Sequence, residues 1–196
     1  RNATSTIATI TNALASIDGV THIKLFENFT DAIVDAIDPH SFQAVVKGGL
    51  NSEVAEQIAL NRPVATGMTG TTVEPWTDSS GFVHQISFLR PTEIPILIQI
   101  NVNETDQWEN DKPDEMKTAL LAYLDCTSIA CDDFTGYSIG DDVFASDMYA
   151  PISNLGGFKI TSIKIGTVYP AVNTYENIDI YDLVTFDVLN MEVINV

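Results

Sequence analysis

Three histidines and two pairs of neighbouring aspartates are the side chains whose types could do proton or metal chemistry. His22, His40 and His84 are far apart and share no motif. Imidazole titrates near neutral pH, which suits acid–base work. Here, though, His22 alternates within a predicted strand and His84 falls in a hairpin strand, so they read as ordinary strand and turn residues. Asp132-Asp133 and Asp141-Asp142 are adjacent pairs. Glycoside hydrolysis needs two carboxylates facing each other across a cleft, and sequence neighbours do not supply that. Trp108 is the one sugar-stacking aromatic near a candidate acid. The segment from Asp132 to Asp142 is rich in oxygen ligands and contains Gly136 and Gly140, which makes it the best calcium candidate. It departs from the EF-hand spacing and reads as an acidic turn.

The remaining signals are weaker. Gly67 to Gly70 lacks the Lys-Ser/Thr of a phosphate-binding loop and does not run from a strand into a helix. Cys126 and Cys131 are too few for a disulfide-built fold. They could close a small loop in an oxidising compartment, and they read better as two reduced, partly buried thiols. Asn2-x-Thr4, Asn28-x-Thr30 and Asn103-x-Thr105 match the glycosylation pattern, which matters only on a secretory route. The expectation is therefore no catalytic residue, no cofactor-binding residue, no metal ligand and no enzyme activity. Trp76, Trp108, Phe134 and Tyr137 lie in loops or at element ends. Large aromatics there serve either as core plugs or as interface anchors, and these four are the interface candidates.

The elements that position these residues follow from spacing. Ile7, Ile10, Leu14 and Ile17 recur at helical intervals within residues 4–17, with Asn2 or Thr4 as the cap and Gly19 as the stop. Val20 to Glu27 and Phe42 to Lys47 read as strands, with a turn-rich connection between them. After Gly48-Gly49, Asn51 or Ser52 caps a short helix that ends at Arg62-Pro63. Thr71 to Thr77 and Phe82 to Leu89 form a hairpin around Asp78-Ser79-Ser80-Gly81. Pro91 and Pro95 bracket a stiff bend and mark a boundary between domains 1–92 and 93–196. Ile96, Ile98, Ile100 and Val102 alternate along the next strand. Asp111 and Pro113 start a helix whose core face is Met116, Ala119, Leu120, Tyr123 and Leu124. A helix is expected within Asp142 to Leu155, then strands at Phe158 to Gly166, Asn177 to Ile180 and Leu189 to Val196. The order gives an α+β fold of two small domains, mostly antiparallel sheets with helices packed on them.

Composition excludes some partners. The chain has 196 residues, is 45% hydrophobic and carries a formal net charge of −18. Residues 101–196 hold most of that charge, with four Lys/Arg against seventeen Asp/Glu. A phosphate backbone is repelled by such a surface, so nucleic acid is not an expected partner. An anionic membrane is disfavoured for the same reason, and no apolar run approaches the ~20 residues of a membrane span. No basic start and apolar run of a signal peptide is seen in residues 1–17. A start at Arg1 suggests a fragment or processed product.

One ordered set of motifs goes further. It runs through Gly48-Gly49, Glu53-Val54-Ala55-Glu56-x-Ile58, Arg62-Pro63, Gly67, Asp78-x-x-Gly81 and Phe88-x-Arg90-Pro91-x-Glu93-Ile94-Pro95. This set resembles the baseplate J-like family, wedge proteins of contractile phage tails. Upstream, Ile17-Asp18-Gly19-Val20 and Pro39-His40-Ser41-Phe42 before Val45-Val46 are similar to the family's approach to its glycine pair. Downstream, Ile139-Gly140-Asp141-Asp142-Val143 and Asn190-Met191-Glu192-Val193 also resemble it. The likeness is densest over residues 39–100 and loose over 101–135, and the family's N-terminal portion is missing. It implies a structural component of the baseplate wedge, in the virion tail, assembled in the bacterial host cytoplasm. Such a protein binds copies of itself, here as an expected homodimer, and other wedge proteins. It transmits the rearrangement that releases sheath contraction, and proline-bracketed joints suit that switching. The competing readings are a carbohydrate- or receptor-binding module, served by Trp76 and Trp108, and an acidic hydrolase.

Overall fold

The computed structural model describes residues 7–124 and 136–196. The chain divides into two compact units, Arg1–Pro91 and Thr92–Val196. The fold is α+β, with helices on small, mostly antiparallel sheets.

The first unit runs α1 (Ile7–Ala15), β1 (His22–Asn28), β2 (Ser41–Lys47), α2 (Asn51–Asn61), β3 (Gly67–Met68), β4 (Thr72–Thr77) and β5 (Val83–Phe88). β2 lies between antiparallel β1 and parallel β3. It is covered on both faces, so Ser41 to Val46 are all buried. Ile10 and Leu14 of α1, and Val54, Ala55 and Ile58 of α2, meet Phe42, Ala44 and Val46 in one core. Ile86 and Phe88 of the β4–β5 hairpin complete it. Each of the Val, Leu, Ile and Phe side chains contributes about 1.5–3 kcal/mol by leaving water. Gln43 is also buried, and its Oε1 has no hydrogen-bond partner among the described residues.

The second unit runs β6 (Glu93–Pro95), β7 (Leu97–Glu104), α3 (Lys112–Leu124), β8 (Val143–Phe144), α4 (Tyr149–Ser153), β9 (Phe158–Gly166), β10 (Tyr175–Glu176), β11 (Leu183–Thr185) and β12 (Met191–Asn195). β7 is central, antiparallel to β9 and parallel to β12. Its alternation puts Ile98, Ile100 and Val102 against Met116, Leu120 and Leu124 of α3 and Ile163 and Ile165 of β9.

Several expected elements are corrected. Asn51 does not cap α2. Leu50 occupies the cap position without a side-chain bond, because the Asn51 amide is engaged with Arg90 and Glu74. The helix expected within Asp142 to Leu155 is present as the short α4, preceded by a two-residue strand and a 3-10 turn, with Pro151 in the first turn of α4, where its missing N–H costs nothing. Asn177 to Ile180 is not a strand. β10 and β11 flank it, and Asp142 grips it from the side: its Oδ1 accepts Ile178 N at 2.9 Å. The bend at Pro91 to Pro95 contains β6, which pairs in parallel with β11, Leu183 opposite Glu93. The expected cap at Asn2 or Thr4, Phe134, the cysteines and Asp132-Asp133 lie outside the described residues.

Candidate functional site

The densest motif folds into a clamp. Gly48 and Gly49 both take positive φ, +81° and +68°, as the chain turns from β2 toward α2. A side chain on Gly48 would run into the Gly19 carbonyl, so only glycine fits. On the far side of the hairpin, Val46 N bonds Leu89 O and Leu89 N bonds Ala44 O, seating residue 89 beside β2. Arg90 is thereby delivered to the glycine turn. Its Nη1 donates to Val46 O at 2.9 Å and to Gly48 O, and its Nη2 to Gly49 O at 3.0 Å. Nη2 and Nε both reach Asn51 Oδ1, at 2.7 and 3.2 Å. The guanidinium lies 5.1 Å from the Phe88 ring centre. Burial pulls its pKa below the ordinary value. These contacts tie strand, turn, helix start and hairpin end together, and they leave no donor of the fork aimed at a substrate.

The histidines are held separately. His22 Nδ1 contacts Thr21 Oγ1 at 3.1 Å, His40 meets Asp31 at 2.8 Å, and His84 Nε2 meets Asp78 Oδ2 at 3.0 Å. The third pair closes the β4–β5 hairpin. Asp78 Oδ1 accepts Ser80 N at 2.8 Å and Phe82 N at 3.0 Å. The bond from His84 leads the causes that hold the Asp78 carboxyl below its usual range. Trp76 and Phe82 flank the imidazole, at 5.7 and 5.0 Å between ring centres. The arrangement staples the turn.

Of the four aromatic candidates, Trp76 is half-buried on the first core, and Trp108 is half-buried on the second. The Trp108 ring meets Phe158 edge-on at 6.2 Å. Tyr137 is only 8% exposed, donates its hydroxyl to Asp147 Oδ2 at 2.9 Å and packs on Phe186. Burial, reinforced by that carboxylate, pushes its phenol far above the ordinary range. Phe134 lies outside the described residues. Asp141 and Asp142 are engaged in loop bonds: Asp141 accepts Ser138 N, and Asp142 accepts Tyr175 OH and Ile178 N. Among the described residues, no three His, Cys, Asp or Glu side chains are grouped to hold a metal ion.

The largest exposed apolar side chains lie elsewhere. In the second unit, Val168, Tyr169, Val172 and Leu189 are 63–88% exposed. Tyr169 and Leu189 both line a groove of about 320 Å³ that runs onto β7 and β12. Among the described residues, β12 is an edge of its sheet. Val196 N donates to Val102 O, so by parallel alternation the N–H groups of Val193 and Asn195 point away from β7. The strand pattern near the C-terminus reads as a candidate sheet edge, open to another chain; the exposed Tyr169 and Leu189 beside it are what the pattern missed, because an exposed Tyr or Leu in a loop reads the same as a buried one until the fold is known.

No family model matches the chain, and no curated protein matches it.

Proposed function

We propose that the chain is a structural assembly module whose job is protein–protein contact, as part of a contractile-tail baseplate wedge. The tail setting rests on the motif resemblance. The contact reading is carried by one observation: the β12 edge beside exposed Tyr169 and Leu189. An unpaired edge with apolar flanks is a template for another strand. Two copies of β12 fit each other antiparallel about Val193. That register puts Met191 opposite Asn195 and Glu192 opposite Ile194, so no like charges face each other. The Arg90 clamp agrees with a structural role, since the motif residues hold the backbone. In a wedge, such a contact would pass rearrangement between neighbouring proteins and on to the sheath.

The test is absolute mass by light scattering over a range of concentrations. A mass near twice 21.4 kDa, lost in Leu189→Lys, is the expected result. Lysine is chosen because it lowers the net negative charge, so dissociation could not be ascribed to added repulsion. Rising salt should strengthen the pairing by screening two acidic copies. A strict monomer at high concentration refutes the homodimer.

A second reading, a glycan- or receptor-binding module, is favoured by Phe82, 66% exposed on the hairpin with its ring against His84, which also meets Trp76. Glycan binding lost in Phe82→Ala would support it.

A further inference from the structure

We infer that the loop of residues 28–40 in the first unit, with the apolar groove beside it, docks a basic amphipathic segment of a different protein. The loop is rigid for an internal reason. Asn28, 4% exposed, donates through Nδ2 to Ala32 O, Ile37 O and Asp38 O, and its Oδ1 accepts Thr30 N and Oγ1. Val34 and Ile37 bond each other both ways around Asp35 and Ala36, which take φ of 49° and 61°. Two positive φ values between bonded partners make a tight turn of the primed kind. Ile37 is only 3% exposed.

The same frame turns apolar groups outward. Phe29 is 77% exposed, Ile33 67% and Val34 43%. Phe29 also lines a groove of about 320 Å³ with Leu25, Phe42, Ile10 and Pro63. A preorganised loop presents such groups without the ordering cost of a flexible one.

Charge selects the occupant. The outward apolar residues alternate with Asp31, Asp35 and Asp38, and Glu27 lines the groove. No Lys or Arg occurs from residue 25 to 46, and none lines the groove; His40, which does line it, meets Asp31 at 2.8 Å. A second copy of a chain with net charge −18 would bring more acid to this acidic rim, which is unfavourable. A segment with Lys or Arg flanking apolar residues meets both features. The surface is built from first-unit residues alone, and the inference depends neither on the β12 edge nor on the tail setting.

The experiment titrates the full chain with two labelled amphipathic peptides of one apolar pattern, one Leu/Lys and one Leu/Glu, followed by fluorescence anisotropy. The Leu/Lys peptide is expected to bind and the Leu/Glu peptide to fail. Phe29→Ser with Ile33→Ser should weaken Leu/Lys binding about tenfold or more. Asp31→Asn with Asp35→Asn should weaken it severalfold at low salt, and asparagine tolerates the positive φ at residue 35. Unchanged binding in the Ser variant means attraction to the general acidic surface and overturns the site. Equal binding of both peptides overturns the charge selection. A fall in the light-scattering mass of the Ser variant assigns the loop to a second copy and overturns the heterologous partner.

Discussion

Removing the Arg90 side chain should unfold the first unit preferentially. Arg90→Ala deletes five donor contacts, three to backbone carbonyls and two to Asn51 Oδ1. Charged hydrogen bonds contribute about 1.5–3 kcal/mol each when well shielded, and the stacking on Phe88 adds about 0.5–1 kcal/mol. Water can replace part of this, because Arg90 is half-exposed and freed carbonyls near the surface are rehydrated. The net expectation is a loss of about 3 kcal/mol, with Arg90→Lys losing roughly half because an ammonium cannot span the same carbonyls. The chain offers a clean readout, since it has two tryptophans, Trp76 in the first unit and Trp108 in the second. In a Trp108→Phe background, urea unfolding followed by Trp76 fluorescence should move to lower midpoint by about 2 M, taking a slope near 1.5 kcal/mol/M. In a Trp76→Phe background, the Trp108 transition should stay in place. A Trp76 shift corresponding to less than about 0.5 kcal/mol would refute the clamp as a stabilising device. So would equal shifts of both probes.

Three further outcomes can be read with the same fluorescence. Gln43→Met removes a buried oxygen that has no partner among the described residues and should stabilise the first unit by about 1 kcal/mol; an unchanged or lower midpoint contradicts this. Ala36→Gly relieves the cost of φ 61° on a residue with a Cβ and should add about 1 kcal/mol, whereas no gain would mean the turn is unstrained. Asp78 has its folded carboxyl held below the ordinary range, chiefly by His84, so its contribution is present above the unfolded value of about 3.9 and disappears as pH falls through the folded value. Asp78→Asn should therefore lower the midpoint at neutral pH and flatten the part of its acid dependence below about pH 5; parallel pH curves for the two proteins would count against it.

Local signals were legible in the sequence and long-range ones were not. The alternation of Ile96 to Val102, the Asp111-x-Pro113 start of α3 and the Asp78 to Gly81 turn each rest on residues within a few positions, and each appears where its spacing places it. The misses depend on partners far along the chain. Glu93 to Pro95 becomes a strand only because Leu183 to Thr185 lies beside it. Asn51 looks like a cap by type, but Arg90 claims its amide. Gly48-Gly49 and Arg90 are both conspicuous, yet nothing in the intervening forty positions says that they meet. The candidate surfaces were the least legible part. Phe29, Ile33, Tyr169 and Leu189 are apolar residues in turn-rich stretches, and only the fold shows which way they face.

The parallel partnership of β7 and β12 has a consequence during translation. Every strand pairing of the first unit is closed once Leu89 has emerged. β6 and then β7 leave the ribosome next, but Met191, the β12 partner of Ile98, follows roughly ninety residues later. At about 5–20 residues per second, that is roughly 5–20 s with the β12 flank of the strand bare, and until β9 (Phe158–Gly166) is made the opposite flank is bare as well. Gln99, Asn101 and Asn103, interleaved with the isoleucines, keep the other face polar through that wait. A chain stalled or cut before Met191 would carry a finished first unit and an incomplete second one, a natural substrate for quality-control proteases.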